Sequence, residues 1–491
     1  MDAEPIPTRD AGLDRLAAFL PRAGAAYAAG RNTDPGPERK GAVSRLSPWL
    51  RHRLLTEAEV ARAAFAAHGE AAAKFIEEVG WRTYWKGWLE QRPGVYDLYR
   101  AGLRRAENRL ATEEGLRRAF HDACAGRTGI DCFDSWAREI VARNYLHNHA
   151  RMWFASIWIF TLRLPWELGA DFFLRHLLDG DIASNTLSWR WVAGLHTPGK
   201  HYLARAENIA RFTGGRFDPR GLLDEAAEPL TEAVRPGPAL PPQFDPPPSG
   251  EVVLLLHEED CAVETLDLAG CTVRAVAAVA MPEARARGGV APAVAGFAHG
   301  ALVDAMGRAA ARFGVRPVLL EVDDLAGWAA AHRLKVVTAH PPIGPVAQAL
   351  AAADVGAVRV ARAWDRALWP HAGRGFFGFR PPDRRRGGRR VRGLSAGQIT
   401  PEPPSTARIW PVMWPEAAEQ KSRAAPFRSA SLPSLFIGVF ARIFSSNWPR
   451  MPRVIFEGKK PGASAFTVML CGPHSAASAR VMFTTAPFEV L

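Results

Sequence analysis

Apolar and polar residues alternate with two different periods along this chain. From residue 10 to residue 227, apolar residues recur at spacings of three and four, which is the period of an amphipathic α-helix. The pattern is visible in Leu54, Val60, Ala61, Ala64 and Phe65. Strand-like alternation is scarce in this region. The spacing therefore predicts a mainly α-helical domain over residues 10–227.

A second period appears after a proline-rich stretch. Residues 229–250 hold eight prolines, a composition typical of an extended, semi-rigid linker. Beyond them, residues 251–370 alternate short apolar runs with helical patterns, which predicts an α/β, Rossmann-like domain with a parallel sheet. The region contains no G-x-G-x-x-G and no P-loop motif. The predicted strands are 251–257, 272–279, 316–322, 334–340 and 357–361, and the predicted helices are 298–314, 323–332 and 344–354.

The end of the chain differs in charge and composition. The net charge is +12, and the whole excess lies in residues 371–491. Residues 1–370 are neutral overall, so the charge gives no direct sign of nucleic-acid binding by the body of the protein. Residues 381–491 open with PPDRRRGGRRVRG and lack a sustained period. They are predicted to form a basic, largely irregular and disordered tail. The abrupt change in composition also fits a frameshifted reading frame.

Composition excludes several classes of protein. The chain has 491 residues, of which 48% are hydrophobic and 23% charged, an ordinary globular balance with room for about three domains. Five cysteines without a C-x-x-C pair argue against a disulfide framework or a metal site. The longest largely apolar run, residues 152–162, is short of the roughly 20 residues of a membrane span. No signal-peptide pattern opens the chain, so we expect a cytoplasmic protein without membrane contact.

Residues that could carry chemistry concentrate between positions 126 and 202. The segment LLDGDIASN places Asp179 and Asp181 around a glycine, with Asn185 following. Asn148 and Arg151 are three apart and thus share one helix face. The Arg151 guanidinium could pair with either carboxylate in a partly buried pocket, because its fork suits carboxylates and flat heteroaromatic ligands. The alternative is a helix cap with a surface salt bridge.

A second candidate segment, GAVSRLSPWL, places Ser44 and Ser47 around Arg45. Hydroxyls and backbone N–H groups near the start of a helix suit phosphate oxygens. An ordinary serine N-cap is the alternative.

Five segments, in the same order, resemble motifs of the FAD-binding helical domain of the photolyase/cryptochrome family. They are SRLSPWL, FIEEVGWRTYW, GRTGIDCFDSWAR, LHNHARM and LLDGDIASNTLSWRW, spread over about residues 30–215. The resemblance implies FAD as the cofactor, with Asn185 facing flavin N5. The other cofactor-binding positions that it implies are Ser44, Arg45, Leu46, Ser47, Arg82, Asn148, Arg151, Asp179 and Asp181.

The same resemblance implies a function. It points to blue-light-driven repair of UV-induced pyrimidine dimers in DNA, by electron transfer from the reduced flavin. The implied partner is damaged DNA, and neither an antenna chromophore nor a protein partner is indicated. Asn185, Trp189 and Trp166 match catalytic or electron-relay positions. Positions lining the pocket for a flipped dimer are matched by Glu78, Trp81, Met152 and Trp191.

Some features depart from the family pattern. No tryptophan occupies the distal relay position near residues 108–118, and Val43, Asp131, His149 and Arg190 replace other residue types. The helical domain precedes the α/β domain, which inverts the family order and leaves open a permuted antenna domain or an unrelated module. A non-enzymatic, cryptochrome-like blue-light photoreceptor is therefore an alternative, as is a remnant that binds flavin weakly.

Overall fold

The computed structural model describes residues 4–238 and 242–376, together with the short strands Val454–Ile455 and Met469–Leu470. These two strands pair antiparallel. The remainder of the predicted irregular tail over residues 381–491 lies outside the described residues. Within the described part of the chain, no helix combines the length and apolar character needed to cross a membrane.

Residues 4–238 form a helical part without strands, which confirms the helical prediction. A π-helical turn, Ile157–Thr161, extends the ninth helix. The α-helices are α1 (Arg9–Phe19), α2 (Ala25–Gly30), α3 (Ser47–Arg51), α4 (Glu57–His68), α5 (Ala73–Glu90), α6 (Gly94–Thr112), α7 (Glu114–Ala125), α8 (Asp131–Arg143), α9 (Asn148–Ser156), α10 (Trp166–His176), α11 (Ile182–Val192) and α12 (Ala206–Phe212).

Local sequence explains where several helices begin and what they bury. Thr56 and Glu59 form a capping box at the start of α4, in which the Thr56 hydroxyl accepts from the Glu59 N–H and the Glu59 carboxylate accepts from the Thr56 N–H. This arrangement satisfies two backbone donors that a helix start leaves open. Large aromatic side chains fill the core, and Trp136, Trp153 and Trp158 are fully buried.

The α/β part contains a five-stranded parallel sheet in the order β3-β2-β1-β4-β5, which confirms the predicted class. Residues 252–257 (VVLLLH) of the central strand are buried, as expected for a strand covered on both faces. The strands are β1 (Gly250–His257), β2 (Cys271–Val279), β3 (Val318–Leu319), β4 (Lys335–Ala339) and β5 (Val358–Val360). The helices are α13 (Pro292–Phe313), α14 (Leu325–His332), α15 (Pro345–Ala352) and α16 (Ala363–Leu368).

The loop that follows β1 joins the two parts. Residues 258–260 (EED), called here the acidic loop, pack against the segment after α3 in the helical part. The Cys261 N–H donates to the His52 carbonyl at 2.9 Å, and His52 Nδ1 lies 2.7 Å from the Glu258 carbonyl. Both parts lie in one compact unit, so the domain boundary over residues 229–250 stays a prediction.

Candidate functional site

A cavity of about 320 Å³ opens in the helical part, within the roughly 300–1,000 Å³ typical of small-molecule sites. Residues from α3, α5, α9 and α11 line it. Of the positions predicted to bind cofactor or substrate or to act in catalysis, Trp166 is the exception that does not line it. Those that do are Ser44, Arg45, Leu46, Ser47, Glu78, Trp81, Arg82, Asn148, Arg151, Met152, Asp179, Asp181, Asn185, Trp189 and Trp191.

A tight turn before α3 forms one wall of the cavity. Arg45 has a φ of 55°, a left-handed conformation that is uncommon outside glycine. The Leu46 N–H donates to Ser44 Oγ at 3.3 Å. The Arg45 guanidinium lies 4.5 Å from the centre of the Tyr145 ring. Leu46, rather than a serine, occupies the N-cap position of α3, so the interpretation of this segment as an ordinary serine cap is wrong.

Arg151 and Asp179 form the first of two charged contacts in the cavity. Arg151 Nη2 donates to Asp179 Oδ2 at 2.9 Å, and Arg151 Nε donates to the Leu146 carbonyl at 2.9 Å. Burial favours a raised pKa for Asp179, but the Arg151 charge and a hydrogen bond from Ser47 outweigh it, so that the pKa is lowered. Asp179 is therefore ionised at neutral pH. The sequence left either carboxylate open as the partner of Arg151, and the structure selects Asp179.

Asp181 forms the second charged contact and is deeply buried, with 3% of its surface exposed. It caps α11 by accepting from the Ser184 N–H at 2.9 Å. Arg82 Nη2 and Lys86 Nζ each lie 3.2 Å from its Oδ2. Burial opposes ionisation, yet Lys86 and the neighbouring arginines hold the Asp181 pKa well below its ordinary value. The alternative of a surface salt bridge is therefore wrong.

Sequence reasoning missed Lys86. It lies one helical turn after Arg82, inside the aromatic stretch WRTYWKGW, and its side chain is 2% exposed. Lysine is almost never fully buried without a partner. A lysine among closely spaced aromatic residues was therefore a signal that a buried carboxylate lies nearby.

Asn185 and Trp189 project from α11 into the same cavity. Asn185 Nδ2 donates to the Ala170 carbonyl at 2.8 Å, so its Oδ1 is the atom that can accept a hydrogen bond from a ligand. The Trp189 ring packs closely against α10, where a Cβ on Gly169 would lie only 2.3 Å from Trp189 Cη2. Trp158 meets Trp189 edge-on, with ring centres 6.2 Å apart.

Trp166 lies outside the cavity lining. Its ring centre is 5.6 Å from that of Tyr99, and the Arg190 guanidinium lies 5.8 Å away. The relay role of Trp166 stays a prediction. Sequence reasoning did not include Trp158 among the relay candidates, although the structure places it beside Trp189.

Three of the residues predicted to meet a substrate, Glu78, Trp81 and Trp191, each contact a neighbouring side chain in the structure. Burial raises the pKa of Glu78 to about 7, against the opposing charge of Arg31, whose Nε lies 3.7 Å away. The Trp191 ring stacks near Tyr202 at 5.9 Å. Trp81 stacks on Phe376, with ring centres 3.7 Å apart and planes 8° from parallel. Phe376 belongs to a segment, residues 368–380, that matched no motif in the sequence.

Two departures from the family pattern have structural explanations. His149 Nδ1 lies 2.8 Å from the Asn32 carbonyl, and the ring stacks on Trp153 at 3.9 Å. Burial lowers the His149 pKa to about 3, so the ring is neutral. Arg190 Nη2 donates to Glu232 at 2.5 Å. Neither residue lines the cavity.

The cavity chemistry fits a flavin nucleotide. The turn at residues 44–47 offers hydroxyl groups and one arginine, and the Arg151–Asp179 pair offers a planar charged surface. Ser184 Oγ and Trp189 Nε1 are buried and have no hydrogen-bond partner among the described residues. Both residues line the cavity, so a bound ligand could supply the hydrogen-bond partners that these buried atoms need. These features define the class of site as a pocket for a nucleotide cofactor.

Comparison with known proteins identifies the cofactor. Residues 75–223 match the family described as the FAD binding domain of DNA photolyase. A deoxyribodipyrimidine photo-lyase of Thermus thermophilus is 34% identical over 223 residues, which cover 44% of this chain and 49% of the relative. Cryptochrome-1 of Arabidopsis thaliana is 36% identical over 111 residues, 23% of this chain and 16% of the relative. The crystal structure of a class III photolyase from Agrobacterium tumefaciens covers 42% of this chain and 43% of its own, with 26% identity and a TM-score of 0.36.

The helical part therefore contains an FAD-binding domain of the photolyase and cryptochrome type, and FAD is its cofactor. The chain spans less than half of the length of each of these relatives. The activity of the whole protein consequently belongs to the proposal below.

Proposed function

We propose that this protein is an FAD-dependent enzyme that repairs UV-induced pyrimidine dimers in DNA with blue light. The observation that carries the proposal is the composition of one cavity. Its lining combines the charged pair Arg151–Asp179 with Glu78, Trp81 and Trp191. A cofactor and a flat apolar substrate thus have complementary surfaces within one site.

The residues that would hold FAD are distributed along the cavity. The turn at residues 44–47 suits the phosphates, because hydroxyl groups and the Arg45 guanidinium offer donors. Arg151, held by Asp179, and Asn148 suit the edge of the isoalloxazine ring. The Asn185 amide is fixed on Ala170, so its Oδ1 accepts a hydrogen bond from the ring. When bound and reduced, FAD supplies the light-driven electron transfer that opens a cyclobutane ring.

A different set of cavity residues would bind the damaged bases. A damaged, poorly stacked base pair is inexpensive to extrude from the duplex. The Trp191 face stacks on the extruded bases, and Met152 closes the apolar wall beside them. Because the Glu78 pKa is about 7, a large share of this carboxyl is protonated at neutral pH. The protonated carboxyl donates its O–H to a base carbonyl.

The test uses the full chain loaded with FAD. The protein is reduced, mixed with an oligonucleotide that contains one thymine dimer, and illuminated with blue light while the intact dimer is quantified by chromatography. Dimer content is expected to fall only with light, reductant and protein together. Dark samples and samples without reductant are the controls. A flavin-loaded, reducible protein that leaves the dimer intact would contradict the proposal.

The second candidate function is that of a blue-light photoreceptor. It is favoured by Phe376, which stacks on Trp81 and occupies one face of a ring that repair would use. In a photoreceptor, illumination shifts the conformational equilibrium of the protein without a chemical change in DNA. Limited proteolysis of the FAD-loaded chain in light and in darkness tests this candidate. A light-dependent cleavage pattern without dimer loss supports the photoreceptor, and identical patterns contradict it.

A further inference from the structure

We propose that the α/β part positions the flavin site, with Glu259 and Arg285 acting as positioning residues for the D-G-D turn at residues 179–181. The proposal rests on FAD binding by the helical part and is independent of DNA repair. It assigns a task to the α/β part, which the inverted domain order left without one.

The first contact runs from Glu259 through Arg51 to the turn. Glu259 lies in the acidic loop and holds the Arg51 guanidinium at both ends, with Nη1 to Oε2 at 2.7 Å and Nη2 to Oε1 at 2.6 Å. The remaining donor, Arg51 Nε, reaches the Gly180 carbonyl at 2.7 Å. Arg51 is 2% exposed. The carboxylate of Glu259 therefore fixes the orientation of a side chain that holds the turn.

The second contact comes from Arg285 of the α/β part. Its Nε donates to the Leu174 carbonyl at 2.9 Å and its Nη2 to the Leu177 carbonyl at 2.6 Å. These carbonyls belong to the last turn of α10 and the residue that follows it. Helix ends leave such acceptors open, and a cation there also favours the helix dipole. Arg285 thus secures the backbone immediately before the D-G-D turn.

The glycine of the turn is explained by the same contacts. A Cβ on Gly180 would lie 3.2 Å from Arg285 Nη2 and 3.1 Å from the Leu177 carbonyl oxygen. The backbone of the turn can approach Arg285 because this position has no side chain. Arg285 holds the Leu177 carbonyl, two residues before Asp179, and Arg51 holds the Gly180 carbonyl, which belongs to the peptide joining Gly180 to Asp181. Any displacement of Gly180 is therefore transmitted to both carboxylates that line the cavity.

Neither Glu259 nor Arg285 lines the cavity. Their effect on FAD is consequently indirect, through the Arg51 side chain and the end of α10. The charged groups that face the turn from the helical part are Arg51, Arg82, Lys86 and Arg151. Those that face it from the α/β part are Glu259 and Arg285.

The direct test compares two Glu→Gln substitutions at opposite ends of β1 in the full chain. Glu259→Gln removes the charge that holds Arg51, whereas Glu251→Gln removes an exposed partner of Arg274. The FAD dissociation constant is measured from quenching of flavin fluorescence. We expect about tenfold weaker FAD binding for Glu259→Gln, the scale of one hydrogen bond to a charged group, and no change for Glu251→Gln.

A second measurement reports on the turn without FAD. Hydrogen exchange of the backbone over residues 177–185 is followed in the apoprotein. Exchange is expected to accelerate in Glu259→Gln and to stay unchanged in Glu251→Gln. Unchanged exchange together with unchanged FAD affinity in Glu259→Gln would overturn the proposal.

A double variant separates positioning from stability. Replacing both members of a buried ion pair by apolar side chains often preserves stability, whereas removing one member does not. Arg51→Met with Glu259→Met is therefore expected to melt near the wild-type temperature, but it lacks the donor to the Gly180 carbonyl. We expect its FAD binding to remain about tenfold weaker than that of wild type. Recovery of wild-type FAD affinity together with wild-type stability would show that Glu259 has only a structural role, and would overturn the proposal.

Discussion

Two acidic clusters in this protein have similar composition, but one lines a large cavity and the other has almost no free space beside it. The D-G-D turn of the helical part places Asp179 and Asp181 on the wall of a cavity of about 320 Å³. The acidic loop places Glu258, Glu259 and Asp260 directly after β1, and the cavity that Glu258 and Glu259 line measures only about 10 Å³. Both clusters are buried, and each contains a carboxylate that is paired with an arginine, Asp179 with Arg151 and Glu259 with Arg51. The difference lies in whether the cations leave room for a ligand.

The position of the acidic loop makes this difference informative. Open α/β sheets usually bind ligands outside the carboxyl ends of their strands, where the strand order reverses. In the order β3-β2-β1-β4-β5 that point lies between β1 and β4. Arg51 of the helical part and Arg285 of the α/β part occupy the space beside it. The edge of this sheet where such folds usually bind a ligand is thus filled by contacts within the protein. The helical part, in contrast, has an open cavity.

The largest expected effect is on the free energy of unfolding and concerns Asp260 of the acidic loop. Asp260 accepts from Arg362 Nε at 2.7 Å and from Arg53 Nη1 at 3.2 Å, and these charges lower its pKa although burial opposes them. Asp260→Asn should reduce the free energy of unfolding by about 4 kcal/mol, because two buried arginines lose a counter-charge. Urea denaturation of the apoprotein measures it. A loss below the roughly 0.5 kcal/mol of an ordinary surface substitution would remove the contrast between the clusters.

A substitution in the D-G-D turn, whose two carboxylates line the large cavity, should change the affinity for FAD. Asp179→Ala leaves Arg151 without its carboxylate, so FAD binding should weaken by about 3 kcal/mol, roughly a hundredfold. Flavin fluorescence titration measures the change. Asp122→Ala is the matched control, because Asp122 pairs with Arg127 at the protein surface. Equal FAD affinity in wild type and Asp179→Ala would remove the assigned role of this residue.

A smaller effect distinguishes the two sides of the cavity. Trp191→Ala should leave FAD affinity unchanged and weaken binding of dimer-containing DNA by about 2 kcal/mol, the scale of one base stacked on an aromatic ring. Fluorescence anisotropy of a labelled oligonucleotide measures the affinity for DNA. Trp328→Ala in the α/β part is the control. Loss of FAD together with DNA binding would contradict the separation of the two surfaces.

The smallest expected effect concerns how stability depends on pH. It compares Glu258 of the acidic loop with Glu78, which lines the cavity of the helical part. Burial raises the pKa of Glu258 and of Glu78 from 4.5 to about 7. The folded state then binds more protons than the unfolded state between these values, so stability falls as pH rises through this window, by at most about 1.4 kcal/mol per pH unit for each group. Glu258→Gln and Glu78→Gln should each flatten this slope in denaturation experiments from pH 4.5 to pH 7. In FAD-loaded protein, the contribution of Glu78 to this slope should change, because Glu78 lines the cavity.

The sequence was sufficient for the fold class and for most of the cavity. Helical spacing predicted the region that became α1–α12, and short apolar runs predicted all five strands. Burial on both faces explains the continuous apolar sequence of β1, whereas Val318 and Leu319 of the edge strand β3 are exposed. The motif residues lie within one site because four helices, α3, α5, α9 and α11, and the turns before α3 and α11 pack around one cavity. Lys86 was missed because its carboxylate partner is distant in sequence. The closure of the sheet edge depends on pairs such as Arg51–Glu259, which are 208 residues apart, and no local pattern reports such a distance.

Gly169 determines the width of the FAD cavity although it does not line the cavity itself. The absence of a side chain at this position lets the Trp189 indole withdraw toward α10. A methyl group there would force the ring to move by several tenths of an ångström or more, and the densely packed Trp158 and Phe173 leave the cavity as the direction of least resistance. The width of the cavity beside Trp189 is therefore set by an empty volume on the far side of its indole ring. Engineering of flavin analogues into this protein would begin at that helix.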